Sequence, residues 1–282
     1  VLPDGEYRFR VEATDEAGNI GREDLLVIID TAGDEVSRGR IQISGEPFTP
    51  DGDGTNDVIR FALSAVDPAS VSAWELRILD PAGNLFAGFS GEGAPDTTVT
   101  WDGSSDTGAR VSSAESYTAV LELEDSYQSA SVTRERFRTG IMVVDERGEL
   151  RIMVNSIQYG PNRTDLFEEL PQDQIEQNLR ILREVAAILE QYPDYDIIVE
   201  GHAARFWTDN ARAAAAEERL FLQPISEERA RDVRKALMIL GIDGQRLTAV
   251  GRGGTEPVVP HSNRQNVWRN RRVEFVLREV RD

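Results

Sequence analysis

Four pieces of residues 197–277 decide the fold: Ile197-Ile198-Val199-Glu200-Gly201-His202, Ile225-Ser226-Glu227-Glu228-Arg229-Ala230-Arg231-Asp232-Val233, Leu247-Thr248-Ala249-Val250-Gly251-Arg252-Gly253-Gly254 and Asn270-Arg271-Arg272-Val273-Glu274-Phe275. The β-branched run that ends in glycine reads as a buried strand. Ser226, with Glu227 and Glu228 behind it, reads as an N-cap with acids at the positive end of a helix dipole. Val233, Leu237 and Leu240 recur at i, i+4, i+7 and so share one helix face, and Gly241 stands where a helix stops. The order is strand, loop, helix, strand, loop, strand.

In this order the pieces resemble the C-terminal OmpA-like domain, the module that anchors envelope proteins to peptidoglycan. The resemblance covers about residues 141–282. The serine-to-Arg-Ala helix start, the glycine-rich turn and the Asn-Arg-Arg-Val-Glu-Phe ending carry it together.

Working outward, the chain has 282 residues, a length for about two domains. No run of about eighteen apolar residues offers a membrane-spanning helix. It starts mid-pattern at Val1, without a signal peptide, and is read as a piece of a longer protein. It has no cysteine, hence no disulfide, thiolate metal site or lipoprotein cysteine. Net charge is −19 and unevenly spread: residues 1–139 hold 26 acidic and 11 basic residues, residues 140–282 hold 24 and 20. An acidic front half repels phosphates and argues against a nucleic-acid partner. It is compatible with calcium or with solubility alone.

Residues 1–32 read as a hairpin. Tyr7 to Ala13 alternates as a half-buried strand does, Asp15 to Asn19 is a turn, and Leu25 to Ile29 is a second strand. The wording resembles the end of a bacterial Ig-like domain, and two strands alone cannot bury a core. Residues 33–139 read as one β-sandwich, with strands at 59–63, 74–79, 99–101 and 117–123 separated by Asp/Gly-rich turns. Phe48-Thr49-Pro50-Asp51-Gly52-Asp53-Gly54-Thr55-Asn56-Asp57, followed by Trp101-Asp102-Gly103 and Tyr117, resembles the FlgD-type Ig-like module. That family has glycine just before the tyrosine's strand; here Glu115-Ser116 stands there. Residues 140–282 are assigned to an α/β OmpA-like domain, two helices on a mixed four-stranded sheet. The first helix spans Gln172 to Gln191, with Ile175, Leu179, Leu182, Val185, Ala186 and Leu189 on one face.

The resemblance also implies a ligand site. In OmpA-like domains an aspartate two residues past Gly-His binds the ammonium of diaminopimelate in the peptidoglycan stem peptide, and an arginine at the start of the next helix binds its carboxylate. A zwitterion needs one anion and one forked cation at fixed separation. The matching arginine is Arg229; the matching aspartate is replaced by Ala204, which implies weak binding of diaminopimelate. The loop Arg205 to Pro224 is about ten residues longer than is usual for the family. Asp209 in that loop either swings back to replace the carboxylate or, with Asn210, caps a short helix over Ala211 to Leu222. Arg229 binds ligand or pairs with Glu227 and Glu228. Arg271 and Arg272 point to opposite faces of their strand, one toward an internal carboxylate and one toward the groove. Phe206, Trp207 and Phe221 are assigned to packing of the long loop.

Other motifs carry less. His202 and His261 make no zinc pattern, and no serine or cysteine sits in an activating turn, so the chain is not read as an enzyme. Gly251-Arg252-Gly253-Gly254 opens no helix and is no phosphate loop. Asn162-Arg163-Thr164 is a sequon of a kind that occurs by chance. Asp51, Asp53, Thr55 and Asp57 alternate as calcium ligands do, yet Asn56 stands where an EF-hand has glycine and Ala62 where it has glutamate. They form a calcium site or a turn capped by its own side chains.

The expectation is a non-catalytic envelope protein that associates with peptidoglycan in the periplasm or at the outer membrane, its long loop and Gly-His-Ala-Ala variant resembling OmpA-like proteins of spirochaetes. The alternative is a structural or protein-interaction module that binds envelope proteins and has lost diaminopimelate.

Overall fold

The structure, a computed structural model, describes residues 5–14, 20–29, 37–125, 129–146, 148–159, 166–167, 170–206 and 210–280. Strands β1 (Gly5–Thr14) and β2 (Ile20–Ile29) pair antiparallel along their whole length. Arg10 and Asp24 form a two-pronged ion pair across them at 2.7 and 3.0 Å. The turn between them lies outside the described residues. Phe9, Val11, Leu25 and Leu26 are exposed, as expected of two strands with no third layer of their own.

Seven strands follow: β3 (Gly39–Ser44), β4 (Ile59–Ala65), β5 (Val71–Leu79), β6 (Leu85–Glu92), β7 (Thr97–Trp101), β8 (Ser116–Asp125) and β9 (Ala130–Arg138). They form two antiparallel sheets, ordered β3-β4-β7 and β6-β5-β8-β9. Both face one core, in which Phe48, Phe61, Trp101, Tyr117 and Phe137 stack at centroid distances of 5.4–6.5 Å. Their edge-on and offset contacts add to the burial of their large apolar areas. The hydroxyl of buried Tyr117 accepts the Ser112 N–H at 3.0 Å and so keeps its polar end satisfied. β3, β6 and β9 extend the four strands read from sequence. Over Ala130 to Arg134, β9 alternates exposed and half-buried residues, as a strand with one face in solvent does.

The back of the chain is a second layered unit. Strands β10 (Val144–Glu146), β11 (Glu149–Val154), β12 (Tyr195–His202), β13 (Leu247–Gly253) and β14 (Val273–Glu279) form one sheet in the order β10-β11-β14-β12-β13. Only β12 and β13 are parallel; the short edge strand β10 makes the sheet five-stranded rather than four. Helix α1 (Gln172–Leu189) and helix α3 (Gln223–Ile239) cover the same face, since Val185, Leu189, Val233 and Leu237 share a core with Ile197, Val199, Phe275 and Leu277. Val185 and Val233 are fully buried, as a two-layer arrangement demands.

Two local readings change. Ser226 is no N-cap: α2 (Ala211–Glu217) runs through a π-helical turn at Glu218–Leu222 into α3, leaving Ser226 inside a continuous helix. The extra residues of the long loop are spent as added helix. On α1, Asn178 and Ile181 are buried while Ile175 and Leu179 are only half-buried. Asn178 earns its place through hydrogen bonds: it accepts the Gln158 N–H at 2.8 Å and donates to the carbonyls of Gln158 at 2.9 Å and Leu166 at 3.1 Å.

The two units interlock at residues 110–115 and 138–143. Ala114 and Ile141 pack in the back core and Met142 in the front one. Ser113 bridges to Val154, and Arg138 holds Glu184 of α1 through two hydrogen bonds of 2.9 and 3.1 Å. Among the described residues, no helix is long and apolar enough to cross a membrane.

Candidate functional site

Two glycines set the site. A Cβ on Gly201 would lie 2.1 Å from the Ser226 carbonyl oxygen, and one on Gly251 would lie 2.6 Å from the Glu227 amide nitrogen. The absence of side chains there lets α3 rest its backbone on the ends of β12 and β13. Ser226 locks the contact: its hydroxyl donates to the Gln223 carbonyl and accepts the Gly253 N–H, both at 2.9 Å. Arg229, the next residue on that face, is thereby held beyond the sheet edge. Its guanidinium lies over the Tyr159 ring, 4.5 Å from the centroid, a cation–π contact.

Arg229 lines a groove of about 350 Å³ with Tyr159, Gln158, His202, Trp268 and Arg271. Burial, aided by repulsion from Arg271, pushes the Arg229 guanidinium below its ordinary pKa. Arg271 therefore faces the groove. Its neighbour Arg272 is buried and bound to Glu274. Glu227 and Glu228 pair with Arg231, not with Arg229.

The sheet face away from the helices carries a buried charge cluster. Glu200 is bound by Arg252 and Glu274 by Arg151, with His202 at 3.7–3.8 Å from both carboxylates. Burial alone would raise the Glu200 carboxyl; His202 and Arg252 overcome this and hold it at about 2. Three guanidiniums against two carboxylates leave the cluster poorly suited to a cation, even though Glu256 joins Glu200 and His202 at ligand distance. Both ring nitrogens of buried His202 lack a hydrogen-bond partner, and the residue lines the groove. His261 is structural. Its Nδ1 accepts the Arg205 N–H at 3.1 Å and its Nε2 lies 2.9 Å from the Gly254 carbonyl, which ties two loops together.

Asp209 and Trp207 lie outside the described residues, as does Asn162-Arg163-Thr164. Asn210 caps α2 by accepting the Ala213 N–H. Phe206 and Phe221 are each 66% exposed, and the continuous helix turns Phe221 outward. The glycine-rich turn is gripped from within: Glu218 accepts the Gly254 N–H on both oxygens at 3.1 Å.

Asp51, Asp53 and Asp57 do come together, with carboxylate oxygens within 4.8 Å of one another. Each also serves the loop itself. Asp57 accepts the N–H groups of Gly52 and Gly54, Asp53 that of Thr55, and Asp51 those of Asp53 and Val143. Burial, with a smaller contribution from Asp53 and Asp57, pushes the Asp51 carboxyl up.

Glu115, Gln158, Tyr159 and Trp268 of the groove were not among the site residues chosen from sequence. Glu115, just before β8, lines the groove with Pro81 and Ala82 from the turn after β5. Its signal was the glutamate at a position where glycine is usual.

Residues 170–271 match the OmpA family model. Outer membrane porin F of Pseudomonas aeruginosa is 34% identical over 94 residues, 33% of this chain and 24% of that protein. Probable lipoprotein YiaD of Escherichia coli is 32% identical over 93 residues, 33% of this chain and 38% of that one. The chain thus spans well under half of the length of either. A putative MotB-like protein from Desulfovibrio vulgaris, 26% identical, aligns over 50% of this chain and 79% of its own with a TM-score of 0.39. The α/β back of this chain is an OmpA-like domain, matched over residues 170–271.

Proposed function

We propose that this chain is a non-catalytic cell-envelope protein that associates with peptidoglycan in the periplasm through the groove at Arg229. The observation that carries this reading is the convergence of Arg229 and Arg271, from two distant parts of the sequence, on one groove beside the Gly201-His202 strand end. Two guanidiniums in one partly desolvated groove repel each other, and a ligand carboxylate relieves that repulsion while taking charge-assisted hydrogen bonds. This is the chemistry that the OmpA-like resemblance assigns to the stem-peptide carboxylate. Residues 33–139 serve in this reading as an Ig-like support; the buried Tyr117 hydroxyl bonded back to Ser112 is the feature of the two-sheet unit that favours it.

Co-sedimentation of the full chain with purified diaminopimelate-type sacculi tests the proposal. The wild type pellets with the sacculi and Arg229→Ala stays in the supernatant; equal pelleting of both would turn the reading toward an interaction module for envelope proteins. Calcium at Asp51, Asp53 and Asp57 is a separate proposal. Each carboxylate keeps acceptor capacity beyond its backbone bonds, and a cation would relieve the mutual repulsion felt at Asp51.

A further inference from the structure

Arg229 and Arg271 account for a ligand carboxylate. Ala204, past the end of β12, supplies no charge for a ligand ammonium. Yet the groove does contain a carboxylate, brought from the other unit. Glu115 is 8% exposed and lines the groove. Its backbone is fixed: the Glu115 N–H donates to the Thr139 hydroxyl at 3.0 Å and its carbonyl accepts the Thr139 N–H at 2.9 Å. The preceding Ala114 sits at φ 59°, a left-handed conformation that L side chains seldom adopt. The turn therefore fixes where the Glu115 side chain leaves the backbone.

The carboxylate itself has no ion-pair partner among the described residues. The cation felt by it, Arg138 of β9, is engaged through both terminal nitrogens by Glu184. Burial, against a smaller opposing effect of Arg138, pushes the Glu115 carboxyl up to about 7. A buried carboxylate without a cation is costly and is ordinarily paired.

We propose that Glu115 supplies the anionic half of the groove, so that the binding site is shared between the two-sheet unit and the OmpA-like domain and takes a zwitterion, with the ligand carboxylate at Arg229 and Arg271 and its ammonium at Glu115. The proposal rests on the assignment of the groove made above. It explains how a site lacking the aspartate at position 204 keeps both charges, and it makes the two-sheet unit part of the recognition rather than a spacer. The charged groups that act on Glu115 are Arg138 and Asp80 on its own unit, and His202, Arg229, Arg271 and Arg272 line the same groove. Tyr117, also adjacent, is held neutral by burial.

The test is calorimetric titration of the full chain, as wild type, Glu115→Gln, Glu115→Asp and Arg229→Ala, with meso-diaminopimelate and with pimelate, which has the same carboxylates and no ammonium. The wild type prefers diaminopimelate. Glu115→Gln weakens diaminopimelate about tenfold or more, the worth of one charge-assisted hydrogen bond, and leaves pimelate unchanged or tighter. Because the ammonium needs an ionised Glu115, wild-type affinity for diaminopimelate rises up to about tenfold from pH 6 to pH 8, and Glu115→Gln loses that rise while Glu115→Asp keeps it. If Glu115→Gln binds both compounds as the wild type does, with the same pH profile, while Arg229→Ala abolishes binding, the role of Glu115 is overturned and the groove stands. If Arg229→Ala also changes nothing, the groove assignment falls and this proposal with it.

Discussion

Replacing Gly201 by alanine tests how the site is built. Its Cβ would sit 2.1 Å from the Ser226 carbonyl oxygen, where ordinary contacts are about 3.3 Å or more. The obstacle is helix backbone, so α3 must withdraw by about 1 Å, and Ala230, Val233 and Leu237, all fully buried, lift from the sheet. Overpacking costs about 1–3 kcal/mol and a rigid partner places this case at the upper end, roughly 3 kcal/mol. For a unit of this size that lowers the melting temperature of the back unit by about 10 °C. Gly148→Ala is the control: φ is +87° there but nothing lies within 4 Å, so only conformational strain of about 1 kcal/mol applies. Differential scanning fluorimetry reads both. Gly201→Ala melting within about 2 °C of the wild type would refute the claim that direct backbone contact seats α3.

Three further outcomes follow from the structure. Asn178→Ala strands the N–H and C=O of Gln158 and the Leu166 carbonyl, and urea unfolding should show a loss of roughly 2–3 kcal/mol; a loss below about 1 kcal/mol would mean the wall beside Tyr159 is held otherwise. Burial pushes the Glu115 carboxyl up from 4.5 to about 7, so its favourable contribution is fully present below pH 4.5 and is lost as pH rises through 7. Glu115→Gln should therefore match the wild type near pH 5 and melt higher at pH 8, by up to roughly 3 kcal/mol, and equal melting at both pH values would contradict the burial argument. Titration with calcium should raise the melting temperature of the two-sheet unit at about millimolar concentration, and Asp57→Asn should remove the rise; no shift in the wild type would leave Asp51, Asp53 and Asp57 as turn caps.

The layering of the back unit was legible because its signals are periodic. The i, i+4, i+7 apolar face of α3 and the apolar run into Gly201 survive any loop geometry. The start of α3 was misread because Ser226 followed by two glutamates is a cap pattern only where a helix begins, and here a π turn carries the helix through it. Asn178 was missed since a polar residue on an apolar face reads as solvent-facing until its three partners are placed. For the site, Arg229 was visible as a helix residue at a set distance from a Gly-His strand end. Glu115 was not, because no spacing in the sequence tells that the turn before β8 meets the end of β12. The juxtaposition arises from the interlocked Ser113–Val154 bridge and the Arg138–Glu184 pair, both long-range contacts.

The most direct measurement is a crystal structure of the full chain soaked with meso-diaminopimelate. The account predicts ligand density in the groove, one carboxylate within hydrogen-bonding distance of Arg229 and the adjoining ammonium turned toward Glu115, with the Arg229 guanidinium still over Tyr159. An empty groove at a ligand concentration that saturates the protein in solution, or ligand bound away from Arg229, would contradict it.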